Sequence, residues 1–175
     1  MRKFFIVFLS VILIGGCKKS KEVELTGEAE LSVSSSLPPD EEKGWTYDAE
    51  NLRDKDRNTA WMEGAKGPGI GQWVSFVFPD MVTVTKIGII PGYDRVEADA
   101  IGDRFYKNCR VKEIEVLFSD GEVLKFSLKD KRKMQYFKVP KIKTRFVKIT
   151  ITDAYTEGAR WNDNGMSEVE IWGFK

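Results

Sequence analysis

Apolar residues in this chain recur at every second position across short segments separated by turn residues. That period places alternate side chains on opposite faces of an extended strand, so one face is buried and the other is wet. Gln72 to Phe78 alternates with Val74, Phe76 and Phe78 on one face. Val82 to Ile90 is rich in Val, Thr and Ile, and Val111 to Phe118 aligns Ile114, Val116 and Phe118. Ser119-Asp120-Gly121 then supplies a hairpin turn into Glu122 to Leu128, where Leu124, Phe126 and Leu128 share a face. Gln135 to Val139 is a further run ended by Pro140, and Arg145 to Thr152 aligns Val147, Ile149 and Ile151. Met166 to Phe174 closes the series with Val169 and Ile171. This predicts about seven or eight strands, no long amphipathic helix and a single helical turn near 48–54. The expected fold is all-β, an antiparallel β-sandwich of the jelly-roll kind.

Trp61, Trp73 and Trp172 lie in strand contexts and are expected in the core. Two long loops break the pattern, at 34–71 and 91–110, and both carry aromatic residues. Loops of that length in a compact domain serve a function or are disordered, and their aromatics argue against plain disorder.

The first residues read as an address. Arg2 and Lys3 precede an apolar run from Phe4 to Ile14, followed by Gly15, Gly16 and Cys17. A basic start, a short apolar stretch and small residues before a cut make a secretory signal. The run is too short to span a bilayer as a helix. Ile14-Gly15-Gly16-Cys17 resembles the bacterial lipobox, which implies removal of 1–16, lipidation of Cys17 and a multi-acyl, palmitate-type anchor. Several acyl chains hold a protein on a membrane far longer than one. Residues 17–30 are polar and read as a flexible tether, which leaves 31–175 as the folded domain. Lys18 follows the lipidated Cys where some inner-membrane lipoproteins carry Asp. By that resemblance the outer membrane or cell surface is favoured. Membrane contact is expected through the lipid anchor only.

Composition narrows the functions available. Net charge is +1, and removing the first sixteen residues takes away two cations and no acid, leaving −1. A near-neutral domain gains little from phosphate attraction, so no nucleic acid is expected as a partner. The chain has no His. That excludes Ser-His-Asp triads and Cys-His pairs, and removes the usual proton carrier near neutral pH. A binding module fits better than an enzyme. Cys109 is left without a disulfide partner once Cys17 is lipidated, and the apolar strand that follows suggests that it is buried.

Ala49-Glu50-Asn51-Leu52-Arg53-Asp54-Lys55-Asp56-Arg57-Asn58-Thr59-Ala60-Trp61 resembles the opening motif of discoidin-like, or F5/8 type C, domains with the galactose-binding-like fold. Trp73-Val74-Ser75-Phe76-Val77-Phe78 and Ser167-Glu168-Val169-Glu170-Ile171-Trp172-Gly173 fit the later motifs of that family. The stretches 67–73, 90–93 and 106–112 are similar to the glycan-binding, translocation-type domain attached to a secreted NAD glycohydrolase. The resemblance covers 31–174 and leaves no room for an NAD-cleaving domain, so the hydrolase activity does not carry over.

The resemblance implies a structural calcium near the opening loop. Calcium takes six to eight oxygens, and Asp54, Asp56, Thr59 and Glu168 are the candidate donors. Lys55 stands where the family usually has Gly, and Asp54 and Asp56 can equally cap a turn through backbone N–H groups. Sugar binding needs aromatic faces and planar hydrogen-bonding groups. The loop candidates are Trp45, Tyr93, Tyr106 and Trp161, with Asp94, Asn108, Arg110, Arg160 and Asn162. Arg110 and Asn108 have a second reading, as pins that hold the long loop. The expected partner is a glycan, or an envelope or host surface protein bound without sugar affinity. A carboxylate-pair glycan hydrolase is the least favoured alternative.

Overall fold

The computed structural model describes residues 20–100 and 102–175. Cys17 and the signal segment lie outside the described residues. Among the described residues there are eight strands: β1 (Val23–Glu24), β2 (Glu30–Val33), β3 (Trp61–Met62), β4 (Trp73–Pro91), β5 (Arg110–Phe118), β6 (Val123–Ser127), β7 (Gln135–Tyr155) and β8 (Gly165–Phe174). The helical content is one turn, α1 (Arg104–Lys107), and 3₁₀ turns at Thr26–Glu28 and Ala49–Leu52. Every strand pairing is antiparallel, in the order β1-β8-β4-β7-β5-β6, with β2 added to β4 and β3 added to β8.

Two long strands build the sandwich by crossing between its layers. The first half of β4, Trp73 to Val77, pairs with Phe146 to Thr150 of β7, and its second half, Val82 to Ile89, pairs with Gln135 to Thr144. The register slips between Val77 and Val82. The sequence pattern predicts two strands on either side of each such point. The backbone instead runs through, bending at Pro79–Met81 in β4 and at Pro140 and Lys141 (φ +47°) in β7. One layer therefore holds β2, the first half of β4, the second half of β7, β5 and β6. The other holds β1, β3, β8 and the remaining halves. The aligned residues of the alternating runs meet between them: Phe76, Ile87, Val116, Ile149 and Ile171 are at or below 1% exposure.

Of the three expected core tryptophans, only Trp61 is fully buried. Trp73 and Trp172 are half-buried on outer faces. Their neighbours Val74 and Ile171 point inward, and period two sends the indoles outward, under Lys148 and Lys86 (Nζ to ring centre 4.4 Å in each case). Cys109 is buried, as its context suggested.

The ordered domain starts before Leu31, inside the expected tether. Val23 and Glu24 pair with Gly173 and Trp172, and Leu25, Thr26 and Ala29 are buried. Arg53 locks this segment by donating to the carbonyls of Thr26 (2.9 Å) and Ala29 (2.7 Å). Two apolar side chains in a polar run suffice to close the edge of β8, and period-based reading passes over them.

Candidate functional site

The layer crossings and the strand ends define two ends of the sandwich. At the end away from the β4 bend, β4 leaves at Pro91, β5 begins at Arg110, β7 finishes at Tyr155 and β8 begins at Gly165. The long loops gather there around a cleft of about 220 Å³.

Each wall has a reason for its position. Asp40 and Trp45 exchange backbone hydrogen bonds (2.9 and 3.1 Å) across a tight loop in which Gly44 takes φ +65°. That loop brings Asp40, Lys43 and Trp45 to the cleft. Tyr93 follows the β4 exit and meets Tyr47 edge to face, with ring centres 6.1 Å apart. Asp103 caps α1 by accepting from Phe105 N (2.9 Å), and α1 presents Arg104 and Asn108. The carbonyl of Lys107 accepts from the backbone N–H of Arg160 (2.8 Å) and Trp161 (3.0 Å), while Cys109 N donates to the Asp163 carbonyl (2.9 Å). These bonds hold Trp161 and Asp163 against α1. Met62 of β3 and Leu37 add apolar lining.

Of the ligand-binding candidates named from the sequence, the fold brings Trp45, Tyr93, Asn108 and Trp161 together in this cleft. The rest lie elsewhere or at its edge. Tyr106 is exposed on the outer side of α1, edge-on to Phe105 at 5.0 Å. Asp94 is buried outside the cleft lining, in ion pairs with Arg57 and with Arg132 (2.6 Å). Arg110 is 1% exposed. It forks onto Asp130 (3.1 and 2.6 Å) and donates to the carbonyls of Asn108 (3.2 Å) and Glu157 (3.1 Å). That is the geometry of a pin between two loops. Asn108 also has a pinning role, donating to the Arg104 carbonyl at 2.8 Å. Arg160 and Asn162 are exposed beside Trp161 and outside the cleft lining.

Sequence reading did not single out Asp40, Lys43, Tyr47, Arg104 or Asp163. Asp163 matters most for chemistry. Burial raises its pKa, and it has no ion-pair partner among the described residues. It therefore offers oxygens to hydroxyl or amine donors entering the cleft. Burial pushes Tyr93 up to about 12 and raises Tyr47, so both phenols keep their protons at neutral pH and can donate. Trp45 is already crowded by cations: the Arg95 guanidinium stands 3.9 Å from its ring centre and Lys43 Nζ 4.5 Å. Arg104 is itself tied to Asp99. Among the described residues, Arg160 is the one cation near the Trp161 ring, at 5.1 Å.

The candidate metal donors form a second feature, on the side of the sandwich. Asp54 accepts from Asp56 N (2.8 Å) and Thr59 Oγ1 (2.7 Å), and Asp56 accepts from Asn58 N (2.9 Å). Lys55 takes the left-handed conformation, φ +66°, that Gly takes without strain. Its ammonium turns away to Glu24 at 2.8 Å. Glu168 is 3% exposed, and its carboxylate, close to Asp54 and the Lys55 backbone N–H, makes no hydrogen bond of normal geometry among the described residues. Desolvation, with Asp54 nearby, pushes its pKa up to about 7. Among the described residues no three of His, Cys, Asp and Glu converge as a metal group. A buried carboxylate with unused oxygens next to Asp54 nonetheless fits the oxygen-only preference of calcium.

Residues 23–172 match the family described as the NAD glycohydrolase translocation F5/8 type C domain. No curated protein matches the sequence. Solved structures resemble the fold. The family 32 CBM from Clostridium perfringens NanJ, in complex with galactose, superposes with a TM-score of 0.62 at 15% identity, covering 87% of this chain and 99% of that one. A CBM32 domain from the same organism, in complex with GalNAc-β-1,3-galactose, gives 0.61 at 16%, covering 85% and 99%. The F5/8 type C domain of a Bacteroides fragilis protein gives 0.59 at 17%, covering 90% and 99%. At these identities the likeness speaks for the jelly-roll fold alone.

Proposed function

We propose that this chain, which belongs to the NAD glycohydrolase translocation F5/8 type C domain family, is a non-catalytic glycan-binding module held at the bacterial cell envelope by lipid on Cys17. The observation that carries the reading is the cleft. Trp161 and the half-buried Tyr47 line it together with the acceptor Asp163 and the donor Lys43, over the buried Tyr93. Sugars offer C–H surface to rings and hydroxyls to such groups. The volume of about 220 Å³ lies below that of drug-sized pockets, roughly 300 Å³ and up, and suits one terminal sugar unit. Galactose and GalNAc-β-1,3-galactose in the complexes of two fold neighbours point to the same ligand class. The lack of His supports binding without turnover. The lipobox at 14–17 supports the anchor, and Lys18 supports an outer-membrane or surface location. A structural calcium at Glu168, Asp54, Asp56 and Thr59 would stiffen the side of the fold and neutralise the buried carboxylate.

A glycan array probed with the mature protein, with and without a calcium chelator, tests this. Trp161→Ala is expected to weaken binding about ten-fold, a loss near 1.4 kcal/mol, with an unchanged melting curve. Failure to bind any glycan by a well-folded protein would leave an interaction lipoprotein without sugar affinity. Release of free sugar would point to a hydrolase.

A further inference from the structure

The cleft has one part whose charges are spent and one whose charge is not. Around Trp45 the cations already have partners. Lys43 pairs with Asp40 at 3.9 Å, Arg95 with Glu97 at 2.5 Å, and Arg104 with Asp99. An anionic group of a ligand would have to displace a carboxylate there. The other part holds Asp163, two residues past Trp161. Its carboxylate is partly buried and meets its own backbone N–H, and among the described residues no cation pairs with it. Arg160, three residues earlier, is exposed, stands 5.1 Å from the Trp161 ring centre and lies outside the cleft lining.

A second acid stands behind the first. Glu63 is fully buried and accepts from Ala65 N (2.7 Å) and Asn164 N (3.3 Å). It has no ion-pair partner among the described residues. Burial raises the Glu63 pKa, and the nearby Asp163 charge adds to the rise. Two carboxylates therefore share one wall with no positive charge set against them. Buried charge is costly until it is paired, so a ligand that brings a cation gains from both. Trp161 and Tyr47 line the same cleft. Aromatic faces attract an ammonium group as well as the C–H surface of a sugar. A hydroxyl would give Asp163 a hydrogen bond and leave the charge unmatched. An N-acetyl group would put a neutral amide where the ammonium stands.

We propose that the cleft selects a terminal hexosamine with a free amino group, its ammonium paired with Asp163 and its ring laid on Trp161. The proposal rests on the glycan-binding reading of this cleft and names the sugar within it.

The test is calorimetric titration of the mature protein near neutral pH. The ligands are the methyl glycosides of galactosamine and glucosamine, their N-acetyl forms, and those of galactose and glucose. A hydrogen bond between charged groups is worth roughly ten-fold or more in affinity. At least one free amino sugar should bind tighter than its acetylated and neutral counterparts by that factor. The advantage should shrink as salt rises, which wild-type protein alone can show. Asp163→Asn, checked for folding by urea unfolding, should erase the preference. Asp80→Asn removes the same charge from the exposed bend at the far end and should keep it. Equal affinity for free and acetylated amines, a preference that survives Asp163→Asn, or binding confined to neutral glycans overturns the amine selection and leaves the glycan module standing. No binding to any sugar, here or on the array, by a folded protein overturns both readings together.

Discussion

Arg110→Met separates a pin from a ligand contact. The guanidinium makes four hydrogen bonds: two to Asp130 and one each to the carbonyls of Asn108 and Glu157. Met fills much of the same volume and donates nothing. The two carbonyls then lose their donor, at roughly 1 kcal/mol each. Asp130 keeps 31% of its side-chain surface in water and rehydrates, so losing its forked partner costs about 1 kcal/mol and not the 3–5 of a fully buried pair. The sum is about 3 kcal/mol. For a domain of this size that lowers the melting temperature by about 6–12 °C. The domain stays folded at 25 °C, where a stability of about 5–15 kcal/mol is usual. Glycan affinity should fall modestly, because Asn108 and the 156–164 loop lose their common brace. Arg110→Lys, which keeps one charge and loses the fork, should fall between the two. The assay pairs urea unfolding with glycan titration on the same samples. Lost affinity at unchanged stability would refute the reasoning and place Arg110 in contact with the ligand.

The other predictions are shorter. Gly165→Ala would drive a Cβ into the Trp61 carbonyl oxygen and to 2.8 Å from Met62 Sδ, so it should cost about 3 kcal/mol or more, while Gly27→Ala, with open space around it, should change the urea midpoint little. Calcium should raise the melting temperature of the wild type at neutral pH and leave that of Glu168→Gln unmoved; equal responses would remove Glu168 from the ion. Burial raises the Asp163 pKa above its ordinary 3.8, so its share of stability is full below pH 3.8 and is lost as pH rises through the folded value. Asp163→Asn should therefore flatten the ligand-free pH profile in the range just above pH 4 and weaken glycan binding, and a profile parallel to wild type would count against its burial.

The two ends of the molecule differ in how far the sequence reveals them. The strands were legible because burial imposes period two on every segment that crosses the core. Val74, Phe76, Ile114, Val116, Ile149 and Ile171 all follow it. That rule says nothing about where a strand changes layer. Pro79 and Pro140 look like ends, and the chain bends there and continues because an outward-facing proline at a bend sacrifices no needed N–H. Nor does the rule register a lone Leu25 or Ala29, whose burial depends on β8 lying beside them.

The cleft was half legible for a related reason. Loop aromatics announce themselves, and Trp45, Tyr93 and Trp161 do converge. The polar partners do not announce themselves, because Asp and Arg are common on any solvated face. What separates Asp163 from Asp94 is only the company each keeps: Asp94 is claimed by Arg57 and Arg132, and no cation among the described residues claims Asp163. The same test separates Arg110, spent on Asp130 and two carbonyls, from Trp161, whose ring has a single cation nearby among the described residues, at 5.1 Å. A side chain can recognise a ligand only with bonding capacity that the fold has left unused. That criterion favours Asp163 and Trp161 over Trp45, Arg104 and Arg110 as the groups that meet a sugar. It also explains why counting residue types in a loop misplaces the site: the fold spends most polar groups on itself, and the sequence does not show which ones.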